Sequence, residues 1–100
     1  MIKHIVMWKL KDEAAGLNKE QIAGKIKHDL EALRDVIPAI LHIEVGINVI
    51  PSAAAFDLGL YSIFASVDDL NTYIAHPAHQ TVVTFIREVI SDRHVVDYTA

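Results

Sequence analysis

Leu41, Ile43, Val45, Ile47 and Val49 occupy every second position between Ile40 and Ile50, alternating with His42, Glu44, Gly46 and Asn48. Successive side chains of a β-strand point to opposite faces, so this run predicts a strand with one apolar face that must be covered. Pro51 to Ala55 has room only for a turn or short loop. The next strand, Phe56 to Ala65, therefore runs antiparallel to the first. Phe56, Leu58, Leu60, Ser62 and Phe64 form one of its faces; Asp57, Gly59, Tyr61, Ile63 and Ala65 form the other.

The flanking segments read by the same two periods. Ile2 to Leu10 is a strand with His4, Val6, Trp8 and Leu10 on one face and Lys3, Ile5, Met7 and Lys9 on the other. Lys11 to Leu17 is a polar connection. Asn18 and Gln21 have the spacing of a capping box, and Ile22, Ile26, Leu30 and Leu33 then recur at helical intervals until Pro38. Lys25, Asp29, Glu31 and Arg34 fall off that stripe and are expected in solvent, as is His28. Ser66 and Asp69 signal a second helix start, and this helix carries Leu70, Tyr73 and Ile74. Pro77 ends it, because proline fixes its own φ and pushes His76 out of the helical region. Proline also suits the first position of a helix, so a third helix begins there and presents Val82, Phe85, Ile86, Val89 and Ile90 to the core. Ser91 to Arg93 is the last connection. His94 to Thr99 is the final strand, with His94, Val96 and Tyr98 on one face and Val95 and Asp97 on the other. Asp97 and Tyr98 are expected as strand or dimer contacts.

The order βαββαβ is the split pattern of an α+β, ferredoxin-like fold: a four-stranded antiparallel sheet with its helices on one face, since both crossovers are right-handed. One hundred residues make a single domain spanning residues 1–100. The uncovered face would carry Ile5, Met7, Tyr61, Ile63 and Val95, more apolar surface than a monomer exposes. A second copy, packed sheet to sheet about a two-fold axis, is the expected cover.

Composition narrows the function. A net charge of −4 without a basic cluster argues against nucleic acid as a partner. The absence of cysteine removes disulfides, thiolate zinc sites and a cysteine nucleophile, and suits a reducing, cytoplasmic setting. No apolar run approaches the ~20 residues of a membrane span, and charges interrupt the amino terminus too early for a signal peptide. There is no serine in a nucleophile elbow and no glycine-rich phosphate loop.

The stretch Tyr73-Ile74-Ala75-His76-Pro77-Ala78-His79-Gln80 concentrates the proton-transfer chemistry of the chain. His79 falls in the first turn of the third helix, whose positive end disfavours imidazolium, so a neutral, proton-accepting ring is expected. The competing reading packs these rings at a helix junction, where each polar tip simply finds a hydrogen-bond partner. A metal site built from His76, His79 and His4 is not expected, because a proline separates the first two and no carboxylate is placed beside them.

The opening Ile2-Lys3-His4-Ile5-Val6-Met7-Trp8-Lys9-Leu10-Lys11, the Ile37-Pro38 before the strand with Glu44-Val45-Gly46, the Tyr73 to Gln80 segment and the terminal Val96-Asp97-Tyr98 together resemble the stress-responsive dimeric α/β barrel domain over the whole chain. The resemblance implies a homodimer whose sheets form a barrel. The plant polyketide cyclases of that family share the Tyr/His segment. Their catalytic pair is a tyrosine and a histidine matching Tyr73 and His79, a histidine matching His4 lies near the pocket, and the reaction is an intramolecular aldol condensation without cofactor. What the resemblance implies is therefore catalysis by His79, Tyr73 and His4, no cofactor, and a small hydrophobic or polyketide-like ligand between sheet and helices. Val6, Trp8, Ile26, Leu30, Leu60 and His76 are the expected ligand contacts, with Trp8 either lining the pocket or filling core. The first helix has Ile26, Lys27 and Leu30 where an aromatic polyketide would call for larger rings, so substrate identity does not carry over. Other members are stress-induced proteins without established chemistry, and a structural or stress-protective homodimer is the alternative.

Overall fold

The computed structural model describes residues Met1 to Ala100. Strand β1 (Ile2–Leu10) leads into a segment expected as a plain connection, but a small hairpin forms there from β2 (Glu13–Ala14) and β3 (Leu17–Asn18). Its two turn residues, Ala15 and Gly16, have φ of 54° and 75°. Paired left-handed residues make the tight turn whose twist suits a hairpin. Glycine adopts this conformation freely, whereas Ala15 is strained there by about 1 kcal/mol.

Helix α1 (Lys19–Ala32) starts at the expected capping box: Asn18 accepts from the Gln21 N–H at 2.9 Å, and the Gln21 side chain accepts from the Asn18 N–H at 3.0 Å. A single 3-10 turn (Leu33–Asp35) finishes it before Pro38. Ile22, Ile26 and Leu30 are buried, each worth roughly 1.5–3 kcal/mol relative to exposure. Glu31 and Arg34, expected in solvent, are used on strand β4 (His42–Ile47) instead. Glu31 accepts from the Val45 N–H at 3.0 Å and Arg34 donates to the Ile43 carbonyl at 3.0 Å. Partial burial pushes the Glu31 carboxyl up, but its bonds from Lys27 and the Val45 N–H outweigh this and hold it below the usual carboxylate range. These bonds occupy backbone groups on an edge strand that would otherwise be free to pair with another chain.

Strand β5 (Leu58–Phe64), helix α2 (Val67–Ala75), helix α3 (Pro77–Val89) and strand β6 (Ile90–Thr99) complete the chain. The sheet order is β4-β5-β1-β6, antiparallel throughout, which is the ferredoxin-like arrangement. In the register, His4 lies opposite Ser62 and Asp97, Val6 opposite Leu60 and Val95, and Trp8 opposite Leu58 and Arg93. These residues share the helix-facing side. Val95 was expected on the uncovered face. Its pairing with Val6 puts it on the helix side, and Val96, opposite Ile5, takes the other. Strand β6 also starts at Ile90 rather than His94, because an irregularity at Lys9/Leu10 lets β1 keep pairing up to the end of α3.

Two consequences position the site. The uncovered face keeps Met7, Val96 and Tyr98 at 43%, 52% and 45% exposure, beside the half-buried Ile5, Tyr61 and Ile63. On the other face, β6 stays exposed at Arg93, Val95 and Asp97, so the helical layer does not close over this edge. No helix is long and apolar enough to cross a membrane.

Candidate active site

Ser66 caps α2 by accepting from the Asp69 N–H at 3.1 Å. The helix ends where Pro77 requires it to. His76 is extended (φ −63°, ψ 134°), its N–H donates to the Tyr73 carbonyl, and its Nδ1 accepts from the Ala78 N–H at 3.0 Å. His76 is thus spent as the cap joining two helices and does not line the cavity, contrary to expectation. The resulting bend lays the end of α2 against the start of α3. Tyr73 and His79 face each other across it, their ring centroids 4.3 Å apart.

Tyr73 is fully buried, and its hydroxyl has no hydrogen-bond partner in the protein. Burial pushes the phenol far above its ordinary value, so it remains a donor at any physiological pH. His79 donates from Nδ1–H to the Ile74 carbonyl at 3.0 Å. A carbonyl can only accept, which fixes the proton on Nδ1 and leaves Nε2 with a free lone pair. The ring is held neutral chiefly by burial, which lowers its pKa and, with repulsion from the nearby Arg93 guanidinium and the neighbouring histidine rings, outweighs the opposing Ile74 bond. The positive helix end acts in that sense too, so the expected neutrality has a cause the helix position alone did not supply.

His4 is buried on the helix side of β1, and its Nδ1 is hydrogen-bonded to the Asp97 carboxylate. Its ring meets that of Tyr73 edge-on at 6.2 Å. His4, Tyr73 and His79 all line one cavity of about 290 Å³ between sheet and helices. Of the expected ligand contacts, Val6, Trp8, Leu30 and Leu60 are in its wall. Ile26 is not: it is fully buried in the core and adds nothing to the cavity surface. Trp8 satisfies both of its readings, being core-buried and in the wall, and its Nε1–H lacks a partner like the Tyr73 hydroxyl.

Sequence reasoning missed Asp97 as the partner of His4, and missed Val83, Ile86, Arg87, Ile90 and Arg93 in the cavity wall. The helical stripe already contained Ile86 and Ile90 as core; which of them faces a void depends on how far α3 stands from β6. A second, more open cleft of about 510 Å³ near Lys19 and Asn48 brings no buried acid–base group together. What the first cavity offers is a neutral base, a permanently protonated donor and a carboxylate-oriented imidazole around an apolar space.

An α+β protein with this strand order and a cavity beneath its helices belongs to the ferredoxin-like class, and solved structures share the arrangement. A dimeric protein of unknown function with a ferredoxin-like fold from Bacteroides fragilis is 35% identical, with a TM-score of 0.84 over 97% of this chain and 93% of that one. The hydroxynitrile lyase of Passiflora edulis shares the fold at 23% identity and a TM-score of 0.80, over 97% of this chain and 90% of that one. The family model of the stress responsive A/B barrel domain matches residues 2–100, and the chain belongs to that family. A stress-response A/B barrel domain-containing protein of Arabidopsis thaliana is 36% identical over 102 residues; the match takes in all of this chain but only 37% of the plant protein.

Proposed function

We propose that this chain is a cofactor-independent acid–base catalyst that enolises, and closes by aldol addition, a small hydrophobic, polyketide-like ligand held in the cavity. The observation that carries the reading is the Tyr73 hydroxyl, fully buried and without a partner beside a histidine whose Nε2 is free. An unpaired buried hydroxyl costs about 1–3 kcal/mol. Such a cost makes sense where a ligand supplies the missing partner.

In this reading His79 Nε2 removes a proton from a carbon next to a ligand carbonyl. The electron pair moves onto the carbonyl oxygen, which takes a hydrogen bond from the Tyr73 hydroxyl. The enolate carbon then attacks a second carbonyl of the same molecule, a carbon–carbon bond forms, and the new alkoxide recovers the proton from the His79 imidazolium. His4, oriented by Asp97, donates or accepts at the ligand from the sheet side. Positioned groups of this kind contribute ~10²–10⁴-fold.

The working unit in this reading is a cytoplasmic homodimer. Its support is the uncovered sheet face with Ile5, Met7, Ile63 and Val96, and a 35%-identical relative described as dimeric.

The test is solvent-deuterium exchange into 2-octanone, a slowly enolising ketone, followed by NMR. Wild-type protein is expected to accelerate exchange at the carbons next to the carbonyl, and His79→Ala and Tyr73→Phe each to lose about 10²-fold of that acceleration. Equal exchange in all three, with folding and ligand binding unchanged, removes the catalytic reading and leaves a non-catalytic homodimer, which the uncovered sheet face supports by itself.

A further inference from the structure

The chain is acidic, with 13 Asp and Glu against 9 Lys and Arg, yet no acidic residue lines the cavity and two arginines do. Arg87 lies in the last turn of α3, and Arg93 lies on the helix-facing side of β6 opposite Trp8. The other cations of the chain are all engaged. Lys3 donates to the Tyr61 hydroxyl, Lys9 sits over the Phe56 ring, Lys11 donates to the Glu88 carbonyl, and Arg34 to the Ile43 carbonyl. Lys19, Lys25 and Lys27 pair with Asp12 and Asp57, Asp29 and Glu31 respectively. Arg87 and Arg93 alone make no side-chain hydrogen bond, salt bridge or ring contact, and both stand at the same cavity.

The carboxylates nearest them in sequence do not compensate: Glu88, next to Arg87, makes no salt bridge with it. Asp97 is taken by His4, and Asp92 accepts from the backbone N–H of Arg93 rather than from its guanidinium. The remaining unpartnered polar hydrogens of the wall are donors as well, the Trp8 indole N–H and the Tyr73 hydroxyl, both on residues more than nine-tenths buried. Beside the bare His79 Nε2, these two donors and the two free guanidiniums at the solvent edge are complementary to an anion, and the guanidinium fork matches the two oxygens of a carboxylate. Apart from His4, His79 and Gln80 the rest of the wall is apolar, and about 290 Å³ admits only a short body.

We propose that the ligand of this cavity is a carboxylic acid with a short apolar body, its carboxylate held by Arg87 and Arg93 and its body lying against Val83, Ile86 and Ile90. This names the substrate class of the site described above and rests on that site being a ligand cavity. The carboxylate anchors one end of the ligand at the edge where the helical layer does not cover β6.

Trp8 is the only tryptophan of the chain and stands in the cavity wall, so its fluorescence reports binding directly. Octanoate, 1-octanol and octyl phosphate are titrated into the wild type, Arg87→Met and Arg93→Met. Methionine keeps an apolar stem, and both positions are exposed, so folding, checked by circular dichroism, is expected to be retained. The wild type is expected to bind octanoate about tenfold or more tightly than 1-octanol, and each substitution to weaken octanoate by roughly tenfold while leaving 1-octanol unchanged. Equal affinity for acid and alcohol, a preference for acid that survives both substitutions, tighter binding of octyl phosphate than of octanoate, or no saturable binding of any probe would each overturn the proposal. Failure here is separable from failure of the catalytic reading. Acid-selective binding without exchange into 2-octanone removes catalysis and keeps the anion site; exchange without acid selectivity does the reverse.

Discussion

Replacing Tyr73 with phenylalanine removes one buried oxygen and keeps the ring, with its neighbours Phe64 at 5.0 Å and His79 at 4.3 Å. At a hydrogen-bonded buried tyrosine this change costs about 1 kcal/mol. Here the hydroxyl has no partner in the protein, so folding strips its water without giving a bond in return, at a cost of ~1–3 kcal/mol. The adjoining cavity of about 290 Å³ has room for water, which needs only ~10–15 Å³, and a water bridge recovers part of that cost. Tyr73→Phe is therefore expected to stabilise the ligand-free protein by ~0.5–1 kcal/mol, a rise in Tm of about 4 °C for a domain of this size, while abolishing the donor that the proposed chemistry uses. Urea and thermal denaturation at one fixed protein concentration measure it, with an unchanged m-value showing that both variants unfold alike. A loss of 1 kcal/mol or more would mean the hydroxyl is bonded in the folded protein, and the vacant donor on which the functional reading rests would not exist.

Asn18→Ala breaks the capping box of α1 and is expected to cost about 1 kcal/mol in the same denaturation assay. Ile63→Asp places a carboxylate on the uncovered sheet face and is expected to dissociate or unfold the homodimer, because an unpaired buried carboxylate costs several kcal/mol; a wild-type sedimentation mass of one chain at micromolar concentration would reject the dimer itself. His79 has a pKa lowered by burial, so below the ordinary histidine value of ~6.5 the unfolded chain binds a proton that the folded one resists. Its contribution to stability is accordingly full above that value and falls as the pH drops, and His79→Gln is expected to flatten this part of the stability–pH curve.

The elements whose signals are local were legible in the sequence. The Asn18 and Ser66 caps, the His76-Pro77 break and the alternation of Ile43 and Val45 each depend on residues a few positions apart, and each stands where the pattern puts it. Properties set by pairing were not. Strand β6 carries apolar residues on both faces, so its period cannot say which side meets the helices; only the pairing with β1 puts Val95 and Asp97 there. That pairing also turns Asp97 from a terminal strand residue into the partner of His4. Ile26 and Leu30 share one stripe of α1, and whether a stripe residue meets core or cavity depends on packing distances that spacing does not contain. Arg87 and Arg93 escaped notice because an isolated arginine on a helix end or strand reads as solvated until its lack of a partner is seen.

The central claim is that His79 is a neutral base with its lone pair on Nε2, beside a tyrosine that remains protonated. Long-range ¹H–¹⁵N correlation of the histidine rings, followed across pH, measures this directly. The account predicts that His79 is the Nδ1–H tautomer at neutral pH, with a bare Nε2 resonance, and protonates only below the ordinary histidine value of ~6.5. A proton found on Nε2 at neutral pH, as the other tautomer or as imidazolium, would contradict it.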